Sequence, residues 1–146
     1  MNVWVPRFFS YLVSLTFVTI VLIYGLDLPT FMSGAPLLVR EYYYANAISS
    51  FLLDIVLVAA YISIGMVAAN ILNISSDDHG SQLGIQAVTA GVISSLFMLF
   101  FLGQSNSLFF TRWFKAAGFR AVLYDIILVC SVYFVMIQVH NRIFSE

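Results

Sequence analysis

The chain has 146 residues, of which 62% are hydrophobic and 9% are charged, and its formal net charge at pH 7 is −1. Soluble domains contain about 25% charged residues, so this composition excludes an ordinary water-soluble fold. The near-neutral charge also excludes the broad basic surface of a nucleic-acid-binding protein. The only cysteine, Cys130, can form neither an internal disulfide nor a cysteine cluster around a metal. We expect it to be a packing residue, and we expect no cofactor.

Four apolar blocks are each long enough to cross a bilayer as an α-helix. A helix rises about 1.5 Å per residue, so about 20 apolar residues span a hydrocarbon core of about 30 Å. It also satisfies its backbone hydrogen bonds internally, as lipid requires. We therefore predict an all-α integral membrane protein with one membrane domain, whose transmembrane helices span residues 8–26, 45–72, 84–103 and 119–141. The first block is longer than the apolar core of a signal peptide, so we expect it to be retained.

The first and third connecting segments, residues 27–44 and 104–118, combine aromatic and basic side chains. Aromatic rings with a polar end favour the headgroup layer, which long basic side chains also reach. We expect contacts with lipids or partner proteins through Arg40, Tyr42, Tyr43, Tyr44, Arg112, Trp113, Lys115 and Arg120. Only Arg7 and Arg142 lie on the side of the termini. This charge bias predicts that both segments are cytoplasmic and that both termini lie on the opposite side.

An internal repeat relates the second and fourth blocks. Asp54 and Asp125 are 71 residues apart, and they begin the similar strings DIVLV and DIILV. Matches among aliphatic residues are common in apolar helices, but these two aspartates are the only acids within the four blocks. We predict a tandem duplication of a helical hairpin, at residues 8–72 and 84–141. Two hairpins of the same orientation would be related by a pseudo-two-fold axis along the membrane normal.

The two aspartates are the main candidates for a functional site. A charged side chain near the centre of a bilayer costs about 2.5–3.5 kcal/mol on insertion scales, so it should face protein or water. Helical spacing places Ser50 and Tyr61 on the face of Asp54, and Tyr133 close to the face of Asp125, and Gln86 on the third helix could reach them. The carboxyl groups could be structural, bonded to neighbouring polar side chains. Alternatively, they could form a proton or cation site at the pseudo-axis and share a proton.

The strings LLDIVLVAAY and LYDIILVCSVY, on a short and aromatic-rich multi-pass chain, resemble the small membrane proteins of large icosahedral DNA viruses. Some of those proteins lie in the membrane beneath the capsid. The resemblance implies a structural role in a virion, with the segments 27–44 and 104–118 as docking surfaces for capsid-like or membrane proteins.

The predicted function is that of a non-catalytic structural or accessory subunit in a homo- or hetero-oligomeric membrane assembly. The alternative is a small proton or cation transporter or channel that uses Asp54 and Asp125. The sequence contains no nucleophile–base set that would indicate an enzyme. We also predict no metal site, because Asp77, Asp78 and His79 are adjacent and rarely converge on one ion.

Overall fold

The computed structural model describes residues 4–144, and this part of the chain is predominantly helical and contains no strands. Seven α-helices follow one another, and two of them continue directly into π-helical turns, at Thr19–Gly25 and Arg40–Ala45. The helices are α1 (Trp4–Val18), α2 (Leu28–Ser33), α3 (Pro36–Val39), α4 (Ala47–Ile71), α5 (His79–Leu102), α6 (Phe109–Ala117) and α7 (Phe119–Ile143).

Four helical stretches are long and apolar enough to cross a membrane, which confirms the predicted number and is compatible with a multi-pass integral membrane protein. They are Trp4–Gly25, Ala47–Ile71, His79–Leu102 and Phe119–Ile143. The first and third begin earlier than predicted. Pro6 is tolerated in the first turn of α1, where its missing N–H would have no intrahelical acceptor. The carboxylate of Asp78 caps α5 by accepting a hydrogen bond from the backbone N–H of Ser81.

The connecting segments 27–44 and 104–118 contain helices that the apolar pattern did not predict. Gly34 ends α2 with a φ of 65°, and Pro36 then begins α3. Gly118, with a φ of 60°, separates α6 from α7. Near the hydrocarbon boundary, helices satisfy backbone groups that an extended loop would leave without partners.

The four long helices pack in the order α4, α5, α7, α1. Close packing joins α4 to α5, α5 to α7, and α7 to α1, whereas α1 and α4 make few contacts. The bundle is therefore open along one side, between the two long helices of the first predicted hairpin. The short helices α3 and α6, with the π-helical turn Arg40–Ala45, pack together at one end of the bundle.

Candidate functional site

Both aspartates line a single cavity of about 320 Å³, which the short segments cover at one end of the bundle. Seventeen residues line it, and ten of these are aromatic. The aromatic residues come from α4, α5, α6, α7 and the π-helical turn Arg40–Ala45: Tyr42, Tyr43, Tyr61, Phe97, Phe101, Phe109, Phe110, Trp113, Phe114 and Tyr124. The cavity therefore combines two carboxyl groups with walls that are mostly ring faces and edges.

Asp54 is held by the π-helical turn that precedes its own helix. Its side chain is buried, and its Oδ1 accepts a hydrogen bond of 2.6 Å from the Tyr42 hydroxyl. Burial raises the pKa of Tyr42, and the neighbouring Asp54 raises it further. Tyr42 therefore keeps its proton and acts as the donor in this pair.

Asp125 is held across the contact between α5 and α7. The hydroxyl of Ser94, which is fully buried, donates a hydrogen bond of 2.5 Å to Oδ2 of Asp125. Beside this pair, the hydroxyls of Tyr43 and Tyr124 lie 2.7 Å apart, and both side chains are buried. Burial raises the pKa of Tyr43, so this hydroxyl stays neutral.

No lysine, arginine or histidine lines the cavity within residues 4–144. Arg112, in the covering helix α6, is engaged elsewhere, since its two terminal nitrogens lie 2.6 and 2.9 Å from the carboxylate oxygens of Glu41. These hydrogen bonds lower the pKa of Glu41 and raise that of Arg112. The lining of the cavity thus supplies no countercharge for either aspartate.

The buried face of α5 is unusually polar for a membrane helix. Its buried residues recur at every fourth position: Gln82, Gln86, Ala90 and Ser94. Nε2 of Gln86 donates a hydrogen bond of 3.2 Å to the backbone carbonyl of Ile62, while its Oε1 is buried and has no hydrogen-bond partner in the structure. From Gln82 to Ser94 this polar face extends about 18 Å along the helix axis. It leads from the aspartate cavity towards the opposite end of the bundle.

A second, larger cavity of about 850 Å³ lies at that opposite end, on the open side between α1 and α4. Its polar lining includes Arg7, Asp77, His79, Gln82 and His140. Nδ1 of His140 is buried without a hydrogen-bond partner. The polar face of α5 lies between the two cavities, since Gln82 lines the second cavity and Ser94 bonds Asp125 of the first.

The structure divides the predicted polar residues between four locations. Asp54, Asp125 and Tyr61 line the aspartate cavity, whereas Ser50 is buried on α4 outside it. Gln86 lies on the buried face of α5, and Tyr133 lines the second cavity, where its hydroxyl donates to Oε1 of Gln82 at 3.4 Å.

Tyr133 follows its aspartate by one residue more than Tyr61 does, which turns its helical position by about 100°, and the two tyrosines line different cavities.

The aromatic and basic residues of the connecting segments also separate into two groups. Tyr42, Tyr43 and Trp113 are buried and line the aspartate cavity, and Arg112 is half-buried in its ion pair. The remaining four, which are exposed, are Arg40, Tyr44, Lys115 and Arg120.

Sequence reasoning did not identify Tyr124, which precedes Asp125 directly, or Glu41, which precedes Arg112 by the same 71 residues that separate the aspartates. The repeat offset, applied to polar residues, relates Glu41 to Arg112, whereas the position equivalent to Tyr124 is Leu53, so only adjacency to Asp125 points to Tyr124.

No family model, curated protein or solved structure matches the chain. In the part of the chain that the structure describes, no three His, Cys, Asp or Glu side chains group as metal ligands would.

Proposed function

We propose that the protein is a small membrane transporter or channel for protons or other monovalent cations, with Asp54 and Asp125 as its binding groups. The observation that carries this proposal is that both carboxyl groups border one cavity whose lining offers no countercharge. An uncompensated carboxylate within a bilayer costs about 2.5–3.5 kcal/mol or more. A proton or a bound cation removes that cost, so the cavity favours positive charge.

A polar helix face between the two cavities supports transport over simple binding. Gln82, Gln86 and Ser94 place amide and hydroxyl groups along the buried face of α5, between the aspartate cavity and the second cavity. Ionisable residues inside a membrane protein typically mark the path of an ion or proton, and these amides and hydroxyls would continue that path from the aspartates. The unpaired Oε1 of Gln86 is an acceptor midway along this route.

Flux into proteoliposomes tests the proposal. Protein is reconstituted with a pH-sensitive dye inside the vesicles, and proton, Na⁺ or K⁺ gradients are applied in turn. We expect a flux that is lost in the double variant Asp54→Asn, Asp125→Asn. Asp27→Asn is the matched control, because Asp27 is exposed, lines neither cavity, and asparagine tolerates its φ of 52°. A flux that survives the double substitution would exclude both aspartates as the binding groups.

A structural or accessory subunit is the second candidate, and a specific observation favours it. Each aspartate joins two elements through a hydrogen bond, Asp54 to Tyr42 and Asp125 to Ser94, as expected of carboxyl groups that hold a fold together. In this case partners would bind through the helix faces and the segments 27–44 and 104–118. The double asparagine variant should then assemble and co-purify with the same membrane partners, while leucine at both positions should disrupt assembly.

We also propose that the chain is a tandem duplication with a pseudo-two-fold axis along the membrane normal. In support, two long helices joined by short helical segments occur twice, with α2 and α3 in the first half and α6 in the second. The 71-residue offset that relates the aspartates also relates Glu41 to Arg112, which pair directly. A contact between equivalent positions is what an axis passing near them would produce. The halves differ in packing, since α5 and α7 pack closely while α1 and α4 do not.

A further inference from the structure

We propose that the aspartate cavity binds a hydrophobic organic monocation, an amine or quaternary ammonium compound with an apolar substituent. This inference rests on the proposed function and specifies its substrate class. The lining of the cavity combines two acids and ten aromatic residues with aliphatic side chains. An organic ammonium ion matches both properties, because its charge meets the carboxyl groups and its apolar part meets the rings.

The lining is poorly suited to a metal ion. Ca²⁺ takes six to eight oxygen ligands, and Mg²⁺ requires nearly ideal octahedral coordination, usually with several waters. Here the side-chain oxygen atoms of the lining belong to two carboxyl groups and to the hydroxyls of four tyrosines, and two of these hydroxyls are hydrogen-bonded to each other. A small hydrated cation would have to exchange most of its water for phenylalanine and leucine side chains.

The aromatic residues form connected walls. In the first, the rings of Tyr42 and Phe109 stack with centroids 4.8 Å apart, and Trp113 stacks on Phe109 at 6.1 Å. The edge of Tyr124 meets Trp113 at 6.0 Å. A second row runs through Tyr61, Phe97 and Phe101. Ammonium groups are attracted to the faces of such rings within about 6 Å of their centroids.

Each aspartate keeps one oxygen for a ligand. Tyr42 occupies Oδ1 of Asp54, and Ser94 occupies Oδ2 of Asp125. The other oxygen of each carboxyl group accepts no hydrogen bond from any residue between 4 and 144, and neither is among the fully enclosed unpaired atoms. Because both residues line the cavity, these two oxygens are the acceptors that a cationic head would contact.

The volume and the rim of the cavity indicate the size and route of the ligand. About 320 Å³ is at the small end of ligand pockets, which suits a single ring with a small ammonium head. Two of the lining side chains, Leu53 and Phe97, are 39% and 37% exposed on the outside of the bundle. A hydrophobic cation could therefore enter from the bilayer, where such compounds concentrate.

Protons and the cation would compete for the same oxygens. The titratable groups that line the cavity are Asp54 and Tyr61 from α4, Tyr42 and Tyr43 from the π-helical turn, and Tyr124 and Asp125 from α7. The lining residues of α5 and α6 include no titratable group. The two aspartates are the acids of this set, so they carry the competition. Binding should therefore strengthen as the pH rises and should release protons.

The two tryptophans of the chain allow a direct binding assay. In Trp4→Phe, Trp113 in the cavity wall becomes the only tryptophan, and its fluorescence reports the ligand. The probe is benzyltrimethylammonium, and the control ligand is neopentylbenzene, which has the same shape with carbon in place of the charged nitrogen. We expect saturable quenching by the cation only, with tighter binding at pH 8 than at pH 5.

Substitution of the aspartates completes the test. Adding Asp54→Asn and Asp125→Asn should weaken binding by about tenfold or more, as the loss of charge-assisted contacts predicts. Asp27→Asn should leave it unchanged. Circular dichroism and gel filtration identify variants that do not fold. For those, the single substitutions Asp54→Asn and Asp125→Asn are measured one at a time, and each variant that folds should bind the cation more weakly. Equal binding of neopentylbenzene, or binding of the cation that is insensitive to pH and to the aspartates, would overturn the proposal.

The binding assay and the flux assay test the ligand class and the transport function separately. Aspartate-dependent proton flux without benzyltrimethylammonium binding would overturn this inference and leave the proposed function intact. Aspartate-dependent binding without any flux would support the inference and refute transport.

Discussion

Substitution of Gly65 by alanine gives a sharp test of how α4 packs on the polar face of α5. A methyl group built at Gly65 would lie 2.5 Å from Cδ and 2.7 Å from Nε2 of Gln86, and closer still to Oε1. Real side chains do not approach so closely, so the Gln86 amide must move. That side chain is fully buried, and moving it breaks the hydrogen bond from Nε2 to the carbonyl of Ile62.

The expected cost follows from two effects. Forcing an extra methyl group into a packed interior typically costs about 1–3 kcal/mol. The lost interhelical hydrogen bond adds about 0.6 kcal/mol on average in a membrane protein. We therefore expect Gly65→Ala to lower the free energy of unfolding by about 2 kcal/mol. Gly84→Ala on α5 is the matched control, since no atom lies within 4 Å of its added methyl group, and it should be close to neutral.

Unfolding by increasing SDS in mixed micelles, followed by circular dichroism, measures these differences. A double-mutant cycle isolates the contact. In a Gln86→Ala background the three clashing atoms are absent, so Gly65→Ala should cost less than about 0.5 kcal/mol there. A Gly65→Ala variant as stable as the wild type would refute the close contact between Gly65 and Gln86. An equal loss of unfolding free energy in the wild-type and Gln86→Ala backgrounds would refute it as well.

Two further predictions concern the segments that cover the aspartate cavity. The hydrogen bonds from Arg112 lower the pKa of Glu41 below its ordinary value of 4.5. The ion pair therefore stabilises the folded state fully at pH values above 4.5, and this stabilisation is lost as the pH falls through the lowered pKa of the folded state. The thermal midpoint in detergent should therefore drop less on acidification in Glu41→Gln than in the wild type, and a difference that persists in high salt would contradict an exposed ion pair. Labelling of single cysteines tests the topology, with Ser76→Cys or Ser105→Cys introduced into the Cys130→Ala background. A membrane-impermeant maleimide should label Cys at position 76 in intact cells and Cys at position 105 only after permeabilisation. The reverse pattern would show that the proposed orientation is inverted.

The four long helices were predictable because lipid leaves an apolar chain few alternatives to the α-helix. The short helices were not predictable, because the aromatic and basic pattern of residues 104–118 indicates only that these side chains favour the membrane interface. In the structure, Trp113 and Phe114 turn inward and are only 5% and 4% exposed. They are buried because α6 folds against the ends of the long helices, a tertiary contact that no local pattern encodes.

The aspartates themselves were identified correctly as inward-facing, but their partners were not. Helical spacing favoured Tyr61 beside Asp54, whereas the hydrogen bond comes from Tyr42. Tyr42 lies in a π-helical turn, where an extra residue per turn shifts which side chains face inward. A periodicity of 3.6 residues cannot anticipate that shift.

The sparse contact between α1 and α4 has a mechanical consequence. The other three contacts between neighbouring long helices are closely packed, whereas the α1–α4 contact is not, so the bundle resists deformation least between α1 and α4. Swinging α1 and α4 apart sacrifices the least packing, with α5 and α7 as the stationary frame. At one end of the α1–α4 contact, the Tyr24 hydroxyl donates a hydrogen bond to the backbone carbonyl of Tyr43 and so joins the two π-helical turns. A separation of α1 from α4 would hinge at this hydrogen bond.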